Sequence, residues 1–340
     1  MFFPILHARN LNLFAGFLKR PAKKFSVAIL GLGGIGMGYD RNLPANSYIL
    51  THARAFHLHP GLELVGGCDL SAKKRDEFQR IYRKPAYASA TRLLNEKKPE
   101  VVVVAAPTPA HRKVVTTILK SGKCRAILCE KPLTMSRAES DAVVRVCREK
   151  KISLFVNFIR RADPAVLEVK RRIDTGCLRG PFKAVVWYGK GLLHTGSHFL
   201  DLLYFWLGPV RESARISNGR SLASGDGEPD CRFVFEKGNA VFLAAGDGHV
   251  SSGTVEMICR NGRLTVDKNG TIQWQPWVRR QEGRDSQSCG EIIFGDMRRY
   301  QARVAEQLHH ALLGKKNCLC TGAQALACQI HIHESLRHVA

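Results

Sequence analysis

From Phe25 onward the chain alternates short apolar runs with stretches of helical periodicity. Val27–Leu30, Leu62–Cys68, Val101–Ala106, Ala126–Cys129 and Ile152–Val156 are apolar nearly throughout. They read as strands buried on both faces. Between them Ser71–Tyr82, Pro109–Ser121 and Ser136–Lys151 carry helical patterns. Buried strands alternating with helices predict a parallel sheet covered on both sides. After Lys151 the rhythm changes. A helix over Pro164–Thr175 leads to a strand at Phe182–Tyr188 and then a further helix. Hairpins follow: Phe233–Phe235 with Ala240–Leu243, Val255–Cys259 with Arg263–Val266, then Ile272–Trp274. Gly and Asn-Gly between them suggest turns with positive φ. Helices over Met297–Leu313 and Ala323–His338 close the chain. The fold class is therefore α/β: a parallel-sheet domain over 25–151, then a second domain over 152–340 with a mainly antiparallel sheet and C-terminal helices.

Composition changes this picture little. The chain has 340 residues, 45% hydrophobic and 24% charged, as in an ordinary globular protein. Eleven cysteines lie without C-x-x-C spacing, which fits reduced thiols and a cytoplasmic protein. The formal charge of +23 points to acidic ligands. Neither zinc-finger spacing nor an RNA-binding aromatic signature accompanies it, so nucleic acid is not expected. Met1–Lys24 contains no Asp or Glu and ends in K-R-P-A-K-K. That extension suits peripheral contact with an anionic membrane, a transit peptide or a disordered tail.

The chemistry begins at Gly31, Gly33 and Gly36, in G-x-G-x-x-G spacing directly after the first strand. There the glycines allow a tight turn, approach of a pyrophosphate and close helix–strand packing. The amides of the following helix, around Gly34 and Ile35, would meet the phosphates. Asp69 ends the second strand, where a carboxylate can hold the adenosine ribose and favour NAD over NADP. Ser71, Lys73, Lys74 and Arg75 just beyond leave NADP possible. The spacing from glycines to acid exceeds the usual ~20 residues, and Asp40–His52 reads as an insertion that accounts for it.

Cys129-Glu130-Lys131-Pro132 after the fifth strand makes the chain resemble the glucose–fructose oxidoreductase, inositol dehydrogenase and rhizopine-catabolism family (Gfo/Idh/MocA). A-A-P-T-P-A-H (Ala105–His111), F-V-N-F-I-R-R (Phe155–Arg161) and G-L-L-H-T-G-S-H-F-L-D (Gly191–Asp201) match in the same order. The resemblance implies an N-terminal Rossmann dinucleotide-binding domain followed by an α/β domain on a large open, mainly antiparallel sheet, and an NAD(P)-dependent oxidoreductase acting on CH–OH groups. It places Pro107, Thr108, His111, Glu130 and Lys131 beside the cofactor and makes Lys131 and His198 catalytic. A sugar or nucleotide-sugar substrate, as in surface polysaccharide biosynthesis, is implied by the wording I-G-M-G-Y-D and K-G-L-L-H-x-G-S-H. Arg160, Arg161, Lys190, His194 and Asp201 fall beside it. Many members have an aspartate where this chain has His194, so His194 either replaces it in catalysis or contacts substrate. A free cyclic polyol or small aldehyde is the alternative substrate, and a non-catalytic dinucleotide sensor the alternative class. The resemblance also implies a homodimer or homotetramer. His194 and His198 have i, i+4 spacing, but the E of H-E-x-x-H is absent and no metal is expected. His309–His310 and His331-x-His333 read as surface or packing residues.

Overall fold

The computed structural model describes residues 24–122, 124–246, 253–277 and 290–337. The basic extension lies outside them except for Lys24. The first sheet contains β1 (Phe25–Leu30), β2 (Leu62–Cys68), β3 (Ala86–Tyr87), β4 (Val101–Val104), β5 (Ala126–Cys129) and β6 (Ser153–Val156). Their helical connections are α1 (His52–Leu58), α2 (Ala72–Tyr82), α3 (Ala90–Lys97), α4 (His111–Ser121) and α5 (Arg137–Glu149). Strands β1 to β6 pair in parallel. β1 lies between β2 and β4, so the chain order reverses there and opens a crevice at the strand C-termini. Apolar clusters cover both faces, with Phe56 and Phe78 on one side and Leu93, Val115 and Ile118 on the other.

The second half begins with α6 (Pro164–Asp174), β7 (Phe182–Tyr188) and α7 (Ser197–Leu207). It continues through β8 (Val210–Ser217), β9 (Asp230–Phe235), β10 (Gly238–Ala244), β11 (Thr254–Cys259), β12 (Gly262–Val266), β13 (Ile272–Pro276) and β14 (Glu291–Ile293). These form an eight-stranded sheet in the order β14-β13-β12-β11-β7-β10-β9-β8. Only the β7–β10 pair is parallel among them. β7 shows the alternation that organises the layer: Phe182, Ala184, Val186 and Tyr188 are buried, whereas Lys183, Val185 and Trp187 point outward. The inner row packs with Phe199, Leu203 and Trp206 of α7. Each such fully buried side chain stabilises by roughly 1.5–3 kcal/mol.

Three expectations need correction. The boundary at 151 cuts the first sheet, because β6 pairs with β5 in register. The same sheet takes an antiparallel edge strand, β15 (Cys320–Thr321), from the far end of the chain. α8 (Tyr300–Leu312) also packs there, placing Val304 and Leu308 in the core with Val27 and Phe56; α9 (Gly322–Leu336) follows. The hairpin turns are the second point: of Gly238, Gly262 and Gly270, only Gly270 has positive φ, at 86°. Third, the glycine segment enters a five-residue π-helical turn, Gly34–Gly38, rather than a long helix. The insertion after it is closed by buried Asp40, whose carboxylate accepts from Leu50 N–H, Thr51 N–H and the Thr51 hydroxyl.

Candidate active site

The glycines divide by what surrounds them. Gly31 has φ +107°, and a Cβ there would lie 2.5 Å from the Ala105 backbone. A Cβ on Gly36 would lie 2.1 Å from the Gly31 carbonyl oxygen. Both are glycine because the chain crosses itself. Gly33 is different: its Cβ would meet only the Lys74 ammonium at 3.9 Å. The protein supplies no steric reason for glycine at 33, and a phosphate approaching the backbone does. The carbonyls of Gly33 and Gly34 accept from Met37, Gly38 and Tyr39, while the amides at the head of that turn precede any intrahelical acceptor. Gly34 faces the Tyr39 ring, 2.4 Å from a built Cβ.

Asp69 reaches this loop. Its carboxylate accepts from Leu32 N–H at 2.9 Å and Ser71 N–H at 2.9 Å, with the Lys74 ammonium at 3.6 Å. Arg75 is turned to the Asp69 and Leu70 carbonyls, leaving Lys74 as the basic side chain over the cradle. These residues fit a dinucleotide.

After β4, Pro107 opens a short turn, Thr108–Ala110, and Thr108 lines a cavity. His111 is buried, with Nδ1 3.0 Å from the Pro132 carbonyl and Nε2 2.8 Å from the Ala106 carbonyl. Both ring nitrogens thus face backbone, and His111 ties the loops after β4 and β5 together. Glu130 is likewise held inside: one oxygen accepts from His52 Nε2 at 2.8 Å and Asn157 Nδ2 at 2.7 Å. Burial pushes its carboxyl up, but His52, Asn157 and Lys131 outweigh it and hold it below the usual range.

Lys131 donates to the His194 carbonyl at 2.9 Å, bridging the two halves of the molecule. Burial, with help from the Arg160 charge, brings its ammonium down to about 8 against the opposing pull of Glu130 and Asp226. His198 lies deeper. Burial and the charges of Lys131, Arg160 and His194 push its imidazole well below the ordinary value. Its Nδ1 is buried without a partner, and Phe158 meets the ring edge-to-face at 5.8 Å. The imidazole is therefore neutral at neutral pH. His194 is exposed and lowered more modestly by burial and Lys131.

The π-helical turn Leu192–Gly196 presents His194 and runs directly into α7, which carries His198. A residue overlooked in the sequence holds that turn: Asp226 accepts from Leu193 N–H at 3.1 Å, His194 N–H at 2.9 Å and Gly227 N–H at 2.8 Å. Gly191 lies so close that a Cβ would sit 2.0 Å from the Asp226 carboxylate. The acidic turn G-D-G-E-P-D was the available signal. His52 and Asn157 were overlooked too, and no local motif marks their contact with Glu130.

The paired arginines separate. Arg161 is spent on a buried fork: Nε to Asp201 Oδ2 at 2.9 Å and Nη2 to Oδ1 at 2.8 Å, with Nη1 to Gln324 at 2.8 Å. Burial works against its charge, but Asp201 outweighs it and keeps the guanidinium protonated. Neither lines the cavity, so Arg161 and Asp201 are structural, correcting the expectation that they meet substrate. Arg160 instead stacks over Phe199 at 4.8 Å, its Nε buried and unpartnered. Burial brings it down to about 10. A cavity of about 610 Å³ opens beside this group, lined by Thr108, Pro132, Lys190, His194, Arg220 and Asp226.

Residues 25–158 match the family model described as "Oxidoreductase family, NAD-binding Rossmann fold". This stretch is similar to that oxidoreductase family over the first sheet and its helices. Among curated proteins it is 28% identical over 187 residues to scyllo-inositol 2-dehydrogenase (NAD(+)) of Bacillus subtilis, covering 51% of this chain and 49% of that one. The chain thus spans about half the length of the curated relatives that it first matches. Solved structures match over more of the chain. An NAD-binding oxidoreductase from Klebsiella pneumoniae superposes with TM-score 0.74 at 17% identity, over 93% of this chain and 97% of that one. The WlbA dehydrogenase from Bordetella pertussis, solved with NADH and UDP-GlcNAcA, gives 0.71 at 16% identity, over 93% and 96%. At that identity they show the shared two-part fold.

Proposed function

We propose that the protein is an NAD-dependent oxidoreductase acting on a ring CH–OH or ketone of a sugar, and most specifically of a nucleotide-sugar. The observation that carries this reading is the convergence of Lys131, from the loop after β5, with His194 and His198. A bound nicotinamide supplies hydride acceptance or donation at the reacting carbon. The remaining work falls to the protein. A cationic Lys131 lowers the pKa of the substrate hydroxyl and stabilises the developing alkoxide. Neutral His198 accepts the hydroxyl proton in oxidation and returns it in reduction. Asp226 holds His194 in place through its backbone, which supports a substrate-orienting role for His194 in place of the missing aspartate.

The nucleotide-sugar reading rests on the outer cavity, where Lys190 offers positive charge and Arg220, paired with buried Glu228, completes the wall. It is also the ligand chemistry of the Bordetella neighbour. The inositol dehydrogenases among the relatives support the alternative of a free polyol. Measuring reduced nicotinamide with a panel of UDP-sugars and inositols tests both. Turnover confined to inositols would overturn the nucleotide-sugar reading; none with any substrate would favour a dinucleotide sensor. A cytoplasmic place in surface polysaccharide synthesis belongs to the same proposal. Among the described residues, no helix is long and apolar enough to cross a membrane.

The outward face of the second sheet, with Trp187 48% exposed and Val185 37% exposed, supports assembly into a dimer or tetramer through that face. Light scattering showing a monomer at micromolar concentration would refute it.

A further inference from the structure

Outside the active site, and among the described residues, His59, Glu306 and His309 bring their donor atoms within 4.8 Å of one another. His59 is the C-cap of α1, while Glu306 and His309 stand three residues apart on α8. His59 Nε2 lies 2.9 Å from a Glu306 oxygen, and the His59 and His309 rings meet at 5.0 Å between centroids. His310 Nε2 approaches the other Glu306 oxygen at 3.0 Å. Glycine at 61 keeps the place open, since a Cβ there would lie 2.3 Å from His309 Nε2. Two imidazoles and a carboxylate are a donor set for zinc, with a fourth position left to water. Imidazole ligands disfavour magnesium or calcium.

We propose that His59, Glu306 and His309 form a zinc-type divalent metal site that clips α8 to the end of α1. His59 Nδ1 now accepts from Gly61 N–H at 3.0 Å, so Nε2 carries the proton directed at Glu306. Metal binding at Nε2 moves that proton to Nδ1 and opens the Gly61 hydrogen bond. That cost, and the three-ligand set, make the site weaker than closed structural zinc sites. The opposite end of the same helix pair carries His52, bonded to Glu130, and Gln301, 3.5 Å from His52. Occupancy therefore steadies the pair that supports the Glu130–Lys131 loop.

The test titrates the metal-free full chain with Zn²⁺ by calorimetry and with Co²⁺ by visible absorption. One zinc equivalent, tetrahedral cobalt bands displaced by zinc, and a zinc-dependent rise in Tm are expected. Glu306→Gln, at a side chain 49% exposed, should fold normally. It should weaken binding by at least the ~10–100-fold that lost outer partners cost and abolish the Tm rise; His309→Ala should do the same. No micromolar binding by the wild type, or unchanged affinity in Glu306→Gln, overturns the proposal, whether or not His309→Ala folds.

Discussion

Arg160 and Arg161 are adjacent, of one residue type, and both largely withdrawn from water, yet they do opposite things. Arg161 meets Asp201 through a two-pronged contact and joins the turn after β6 to α7 and α9. Arg160 has a ring beneath it and no carboxylate partner given by the structure, and its charge bears on Lys131 and His198. A neutralised buried charge holds a fold together; an unneutralised one is a cost that a ligand or a reaction must recover. The difference between them marks where architecture ends and chemistry begins.

The sharpest way to use that contrast is to break each side. His198→Ala, on the reactive side, should lose roughly 10²–10⁴-fold in turnover while dinucleotide titration and Tm stay close to wild type. Asp201→Ala, on the structural side, leaves Arg161 buried and unpaired. It should cost about 3–5 kcal/mol of stability, read by denaturant unfolding. A reversal, with His198→Ala unfolding the protein and Asp201→Ala leaving stability untouched, would mean that the division is misplaced.

A smaller effect tests the electrostatics. If Lys131 must be cationic, oxidation should fall as pH rises through about 8. Arg160→Gln removes a like charge, so the Lys131 ammonium becomes easier to keep and the falling limb should move to higher pH. A limb unmoved by Arg160→Gln would detach Arg160 from Lys131. A rate that instead rises through about 8 would make Lys131 the proton acceptor. The smallest change is at the cofactor end: Asp69→Ala should loosen preference for NAD over NADP, with Lys74 left over the cradle. Steady-state KM values for both cofactors read it.

The same contrast explains what the sequence could show. Strands β1, β2, β4, β5 and β6 are apolar runs, and Gly31, Gly33, Gly36, Lys131 and His198 sit in short motifs whose local context declares their role. Arg160 and Arg161 do not: which one turns inward depends on the single 3₁₀ turn Ile159–Ala162 and on Asp201 forty positions away. Asp226 acts through backbone amides that it meets only in the folded loop. His52 and Asn157 converge on Glu130 from separate elements. β15 is a two-residue edge strand with no periodicity to read. Its place in the first sheet, with α8 against that sheet, is why a boundary at 151 looked clean along the chain.

The central claim is that Lys131 and His198 together handle the proton that accompanies hydride transfer. The most direct measurement compares wild type with the Lys131→Ala, His198→Ala double variant, following nicotinamide absorbance with the best substrate and dinucleotide binding by protein fluorescence in parallel. The account predicts that binding is retained and turnover is lost in the double variant; full turnover there would contradict it.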